Sequence, residues 1–536
     1  MLSRFLNFQT KNINFSALFL AGSALLSGIL GWLRDNLLAT TLPKAQADVY
    51  LAAFRLPDFL YGIVVAGGLA AAFLPVFSEH FNKSKKEAQV LLSNVFCLFA
   101  VGLAFCALLI FLAAPALVHI IVPGFSAVQK QETVSLIKIM SLSPFLLGMS
   151  AIFAGVLQYF NVFLATAIAP LFYSLGIIAG LLFFRSTFGL DGLAFGVVAG
   201  ALAHFLVQLF PAIKLGFKPK SIFNISHAGF RKIIKLMIPR LFSASVTQLN
   251  LLAVVFLASF LPAGSILVFS LANNLQGIAL SLIGIPMALV AFPILSRHYV
   301  NLDKKNFSYS FNTFFLRIMF FVAPISIILF IFNNQIASLL YASFFSGSRL
   351  AAFDIKLIGF GLAIFAISLW ASCLAPFLSR VFFALHNTKT PVIISIAAVV
   401  LNLGLSFALV KLFSGFNINV AILALPLAFS ISSIAQVFLM LWALKRESWG
   451  FGNSLIRPFG KILIANATML GFVLVYIYIG RGFLALYHSF AYRLIWTGLA
   501  CILATILYVV VALAINCREA QGFCRFVIGA LKKIKL

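Results

Sequence analysis

Leu56-Pro57-Asp58-Phe59-Leu60-Tyr61-Gly62-Ile63, running on to Ala72-Phe73-Leu74-Pro75-Val76-Phe77-Ser78-Glu79-His80, is answered later by Leu271-Ala272-Asn273-Asn274-Leu275-Gln276-Gly277-Ile278, running on to Ala291-Phe292-Pro293-Ile294-Leu295-Ser296-Arg297-His298. The copies lie roughly 215 residues apart, about the length of six membrane crossings with their loops, so equivalent segments point the same way. A weaker echo pairs Leu142-Ser143-Pro144-Phe145-Leu146 with Leu374-Ala375-Pro376-Phe377-Leu378. The reading is an all-α polytopic membrane protein with two pseudo-symmetric six-helix lobes, related by an axis along the membrane normal, plus two C-terminal helices. The chain divides accordingly into an N-terminal lobe at 1–213, a cytoplasmic linker at 214–230, a C-terminal lobe at 231–446, and a segment at 447–536 with two further crossings and a basic tail.

Composition supports a lipid surround. Of 536 residues, 63% are hydrophobic and 9% charged, against about 45–50% and about 25% in soluble domains. Too few polar side chains exist to cover water-soluble domains of this length. Apolar stretches of the roughly 20 residues that cross a bilayer recur about fourteen times, from 13–38 and 47–77 through to 459–480 and 490–516. The second carries Pro57 and Gly67-Gly68, which predict a kink or tilt. The N-terminal segment has no small-residue cleavage site before the first run, so that run is expected to stay as an anchor.

Basic residues test the count, because Lys and Arg concentrate in cytoplasmic loops. Alternate connections hold Lys83, Lys85 and Lys86; Lys214, Lys218, Lys220, Arg231, Lys232 and Lys235; Arg297, Lys304 and Lys305; Arg380 and Lys389; and Lys445, Arg446, Arg457 and Lys461. With the terminal segments, about 25 of the 38 basic residues fall on one side. An even number of crossings with both termini cytoplasmic follows. The net charge of +27 is therefore a topology signal, and no nucleic-acid partner is expected. The six cysteines show no CxxC pair and the seven histidines no metal spacing, so neither a metal nor a cofactor is expected. No Walker loop, GxSxG or HExxH occurs, so no enzyme is read here.

Charge inside a span costs about 2.5–3.5 kcal/mol on insertion scales and normally faces a cavity or a partner. The first two spans hold Arg34, Asp35, Asp48, Arg55 and Asp58, charges of both signs. For the acids, structural ion pairing and a place in a cavity are equal readings. For Arg34 and Arg55 the planar, multiple donors of guanidinium favour phosphate oxygens and an anionic passenger. No carboxylate occurs between Asp191 and Asp303 or between Asp354 and Glu447, so an acidic relay in those spans is not expected. Asn273 and Asn274 are candidates to hydrogen-bond a sugar, with helix-to-helix bonding the commoner role.

These residues also resemble a known family. Gly31-Trp32-Leu33-Arg34-Asp35, Ala47-Asp48, Phe54-Arg55-Leu56-Pro57-Asp58, Phe73-Leu74-Pro75, Pro123-Gly124-Phe125 and Phe382-Phe383-Ala384-Leu385-His386-Asn387-Thr388-Lys389-Thr390-Pro391 are similar to motifs of the MurJ (MviN) family of the MOP exporter superfamily. The resemblance covers essentially the whole chain. It implies a fourteen-helix lipid II flippase of the bacterial inner membrane, with a cationic cavity and a groove for the polyprenyl tail formed partly by the last two helices. Its passenger would be a polyprenyl-pyrophosphate-linked peptidoglycan precursor, moved to the outer leaflet by alternating access for cell-wall synthesis. Arg34, Asp35, Asp48 and Arg55 match family positions, and Arg34 is the first candidate for the pyrophosphate. The chain departs from the pattern at Gly28, Tyr61 and Asn273-Asn274, where the family carries basic or charged residues, and at Ser406, where its sodium-site carboxylate would fall.

The expected site is thus Arg34, Arg55, Asp35, Asp48, Asn273 and Asn274, in a monomer whose partners are a lipid-linked anion, membrane lipids and candidate cell-wall synthesis proteins. Two alternatives stand beside lipid II flipping. One is a flippase for another undecaprenyl-linked glycan, such as an O-antigen or capsule unit; the other is a non-transporting scaffold of the cell-wall machinery.

Overall fold

The computed structural model describes residues 13–342, 350–447, 449, 455–486 and 490–525. All regular structure among them is helical. The chain separates into two compact units, one reaching to Leu267 and the other beginning at Val268. The first contains α1 (Ile13–Thr41), α2 (Lys44–Leu60), α3 (Ala70–Lys83), α4 (Lys85–Ile121), α5 (Ala127–Met140), α6 (Ser143–Tyr159), α7 (Phe163–Ala179), α8 (Asp191–Lys214) and α9 (Ala228–Ala258). Helix α10 (Ser265–Ala279) begins at its end. The second unit continues with α11 (Ile285–Val300), α12 (Lys304–Ile331), α13 (Asn333–Tyr341), α14 (Ala352–Ala384), α15 (Lys389–Phe416), α16 (Ala424–Arg446), α17 (Ile456–Leu486) and α18 (Phe490–Ala514).

Among the described residues, eleven helices are long and apolar enough to cross a membrane, against the fourteen or so expected. The other expected crossings fall on α1, on the α2–α3 rod and on α9. The last two concentrate charge: Lys44, Asp48, Arg55 and Asp58 on α2, and Arg231, Lys232 and Lys235 at the start of α9.

The kink expected in the second run takes a specific form. Between α2 and α3 the helix widens to π geometry over Tyr61–Leu69, just past Pro57, whose ring nitrogen cannot donate to the preceding turn. The duplicated segment does the same: Leu280–Gly284, between α10 and α11, is also π-helical. Gly62 lies against the side chain of Gln248 on α9, where a β-carbon would collide with the amide.

Helices α7 and α8 meet through glycine. A β-carbon on Gly196 would sit 2.5 Å from the Cα of Gly180, and Gly176 and Gly200 oppose each other one turn away. Lipid supplies no hydrophobic drive between helices, so such close backbone approach and its dispersion contacts hold the pair together. The core of the first unit lies elsewhere, where Phe73 and Phe77 of α3 pack with Leu91 and Leu92 of α4, Ile152 of α6 and Met237 of α9. In the second unit a larger apolar cluster joins Phe311 and Phe320 of α12, Phe377 of α14, Met440 of α16 and Tyr508 of α18.

The 214–230 connection is strapped to α4. Lys220 N donates to Ser93 Oγ at 3.0 Å, and Lys85 Nζ donates to the Leu215 carbonyl at 3.2 Å. Asn94 both accepts from Asn224 N (2.6 Å) and donates to its carbonyl (2.9 Å), while the Gln89 amide donates to the Lys218 carbonyl. Residues 85, 89 and 93 follow one another at i, i+4 along one face, with Asn94 beside Ser93, so polar side chains of a single helix satisfy the backbone of an irregular segment. Beyond the strap, Lys232 Nζ of α9 donates to both carboxylate oxygens of Glu79 on α3, each at 2.7 Å.

Replacing Gly196 by Leu should destabilise the first unit by about 2 kcal/mol or more, read as a lowered thermal midpoint of the purified protein. Gly404→Ala, at a position with open space around it, should leave the midpoint in place. The hydrogen bond from Lys232 holds the Glu79 carboxyl below its ordinary range. That contact is therefore present above the usual carboxyl pKa and lost as the pH falls through the lowered one. A pH series of thermal midpoints should show parent and Glu79→Gln converging in acid and separating near neutrality.

Candidate functional site

A cluster of charged and phenolic side chains forms where α1, α2 and α7 meet in the first unit. Arg34, on the last two turns of α1, donates from Nε (3.0 Å) and Nη2 (2.8 Å) to a single oxygen of Asp35. Neighbours in sequence on a helix do not face one another, so the guanidinium must fold back along its own helix to make this contact. It remains one-third accessible, its side chain 32% exposed against 11% for Asp35. A group at that burial inside a span retains donor capacity on a reachable surface.

Helix α2 supplies the rest. Tyr50, Phe54, Asp58 and Tyr61 follow at spacings of four, four and three, which stack along one face, and Arg55 lies three residues before Asp58. Arg55 and Asp58 interact electrostatically, and Asp58 is within reach of Arg34 as well. Tyr173 of α7 lies within electrostatic reach of Arg34, Asp58, Tyr50 and Tyr61. Tyr61 and Tyr173 pack against Leu146, Leu147 and Ala201, which fix the rings on the apolar side. Tyr50 stacks edge-on against Phe54 with ring centroids 5.2 Å apart.

The six residues expected from the sequence separate. Arg34, Asp35 and Arg55 come together in this cluster. Asp48 is two turns earlier on α2 and has a different setting: it is buried, and its oxygens accept from Gly264 N (2.6 Å) and Leu267 N (2.8 Å). The carboxylate thus caps the first turn of α10, where free N–H groups and the positive end of the helix dipole favour a negative charge. Gly264 turns with φ of +99° to present its N–H there. Asn273 and Asn274 are on α10 in the second unit, the first half-buried and the second exposed.

Asp58 joins the cluster although its place among the expected contacts was left open, and Tyr50 and Tyr173 join it unforeseen. The four-residue spacing from Tyr50 through Phe54 to Asp58 is the signal in the sequence that points to Tyr50. In the second unit, Gln276 donates to Ser372 Oγ at 3.0 Å, and Ser406 Oγ donates to Asn402 Oδ1 at 3.5 Å, all four buried. A hydroxyl and an amide stand where the family resemblance places a sodium-binding carboxylate. These residues do not fit a site that needs that acid.

Two helical units, many bilayer-length helices and an ionic cluster held inside the spans define a multi-pass membrane transporter. The fold agrees with solved transporters. A chain described as "Lipid II flippase MurJ, inward closed conformation" superposes with a TM-score of 0.74 at 24% identity, covering 92% of this chain and 98% of that one. An inward-facing multidrug resistance MATE family transporter of the MOP superfamily gives 0.65 at 17% identity, over 78% of this chain and 96% of that one. The sequence profile of the family described as "Lipid II flippase MurJ" matches residues 41–515, and the chain belongs to that family. Relatives include the lipid II flippase MurJ of Burkholderia cenocepacia, 26% identical over 73% of this chain and 77% of that one. The probable lipid II flippase MurJ of Rhizobium tropici is 29% identical over 85% of each chain.

Asp48→Ala should lower stability by about 1–2 kcal/mol through loss of the cap, with Asp48→Asn falling between it and the parent because one acceptor survives. Thermal unfolding of the purified protein measures both.

Proposed function

We propose that this chain flips lipid II, carrying a polyprenyl-pyrophosphate-linked muropeptide from the inner to the outer leaflet of the bacterial cytoplasmic membrane for cell-wall synthesis. The observation that carries the reading is Arg34, a partly accessible guanidinium held within a span, paired with Asp35 and sharing Asp58 as an electrostatic neighbour with Arg55. A guanidinium at that depth is costly unless it meets an anion, and its donors suit phosphate oxygens. Membership of the family supports lipid II as the anion.

In this reading Arg34 and Arg55 grip the diphosphate. Asp35 and Asp58 hold the guanidiniums in place between passengers, so that binding exchanges one set of oxygens for another. Asp48 contributes by fixing the start of α10, the helix on which Asn273 and Asn274 are candidates to hydrogen-bond a sugar. Alternating access exposes the site to each leaflet in turn, and the polyprenyl chain stays in lipid beside the last two helices. Both termini are cytoplasmic in this reading, which the concentration of Lys and Arg in alternate loops supports. The chain works as a monomer in contact with cell-wall synthesis proteins.

The test is complementation. In cells depleted of their lipid II flippase, the parent chain should restore growth and Arg34→Ala should not, while Arg34→Lys, which keeps the charge but loses the planar donors, should rescue weakly. Growth with Arg34→Ala at the parental rate would exclude the diphosphate-gripping role and favour a scaffold. Native mass spectrometry comparing lipid II with an undecaprenyl-linked O-antigen unit should show preference for lipid II.

A further inference from the structure

Within the cluster, the charges balance: two guanidiniums, Arg34 and Arg55, stand against two carboxylates, Asp35 and Asp58. Net positive charge therefore cannot by itself select a dianion there, and recognition needs neutral donors. The phenols supply them. A tyrosine hydroxyl is protonated at neutral pH and donates one hydrogen bond without adding charge.

Tyr50 has the most telling setting. Its residue is 3% exposed, yet its hydroxyl finds no hydrogen-bond partner among the described residues. Buried hydroxyls are nearly always paired, and an orphan calls for a reason. Around it stand Arg34, Asp35 and Asp58, the groups proposed to receive and release the diphosphate. Tyr173 of α7 lies within electrostatic reach of Arg34 and Asp58, and Tyr61, at the start of the π-helical turn that follows α2, within reach of Asp58. Two phenols, Tyr50 and Tyr173, thus lie within electrostatic reach of Arg34, and all three lie within reach of Asp58.

We propose that Tyr50, assisted by Tyr173, is a binding residue that donates its hydroxyl hydrogen to the passenger's diphosphate and so distinguishes a lipid diphosphate from a lipid monophosphate. The inference rests on the flippase reading and adds to it the group that confers selectivity. Within the fold the hydroxyl has no partner among the described residues, and a phosphate oxygen of the passenger would satisfy it. The two phosphates of a diphosphate can engage the guanidiniums and the phenol together, whereas a single phosphate occupied by Arg34 leaves the phenol unmet.

The experiment uses the full chain in lipid nanodiscs, with lipid II and undecaprenyl monophosphate as probes in native mass spectrometry, on the parent, Tyr50→Phe and Arg34→Ala. Loss of a hydrogen bond to a charged group corresponds to about tenfold weaker binding or more. Tyr50→Phe should therefore bind lipid II about tenfold less tightly, bind the monophosphate as the parent does, and keep or slightly raise the thermal midpoint, since the lost hydroxyl had no partner in the fold. Lipid II binding at parental strength in Tyr50→Phe, with binding lost in Arg34→Ala, overturns the proposal and leaves the flippase reading standing. A Tyr50→Phe variant with a lowered midpoint and equal weakening toward both lipids also overturns it, because the hydroxyl would then be structural. Undiminished lipid II binding in Arg34→Ala overturns both readings.

Discussion

An ionised side chain cannot be left bare in hydrocarbon, and most of what is distinctive here follows from how that requirement is met. Water is absent to screen or solvate the charge, so each one needs an opposite charge, a set of donors or a wet surface. The structure uses a different device for each group. Asp48 is neutralised by the backbone of a distant helix start, Arg34 leans on the carboxylate beside it while keeping an accessible edge, and Arg55 and Asp58 share one face of α2. Of these, Arg34 is the one whose guanidinium keeps a third of its side-chain surface accessible, the feature on which the proposed anion site rests.

The fold was legible in the sequence because lipid enforces simple rules. Bilayer thickness sets the length of each apolar run, and the basic loops set its direction, so a chain with so few charges announces its architecture without any reference to packing. The repeat at Leu56 and Leu271 could likewise be read directly, and both copies carry a π-helical segment at the matching place. The number of crossings is less sharply marked, since Lys44, Asp48, Arg55 and Asp58 in the second run and Arg231, Lys232 and Lys235 at the start of α9 dilute the apolar signal there.

The site was legible only in part, for a related reason. Arg34, Asp35 and Arg55 stand out because charge inside an apolar run is rare. Tyr50 and Tyr173 do not, since a phenol in such a run looks like any other aromatic filler among 61 phenylalanines. Asp48 was visible as an acid but its role was not, because its partners, Gly264 and Leu267, follow it by 216 and 219 residues. The strap on α4 escaped notice too. Gln89, Ser93 and Asn94 read as an ordinary polar helix surface until the backbone they satisfy is in place.

The π segments at Tyr61–Leu69 and Leu280–Gly284 carry the repeat beyond the sequence. A widened turn costs hydrogen-bond geometry and is easily erased by deleting one residue, yet it sits after the same motif in both copies. Placed at matching points of the two copies, Tyr61–Leu69 and Leu280–Gly284 give each copied rod the same interruption of its α-helical ladder, so the repeat extends from residue pattern to backbone geometry.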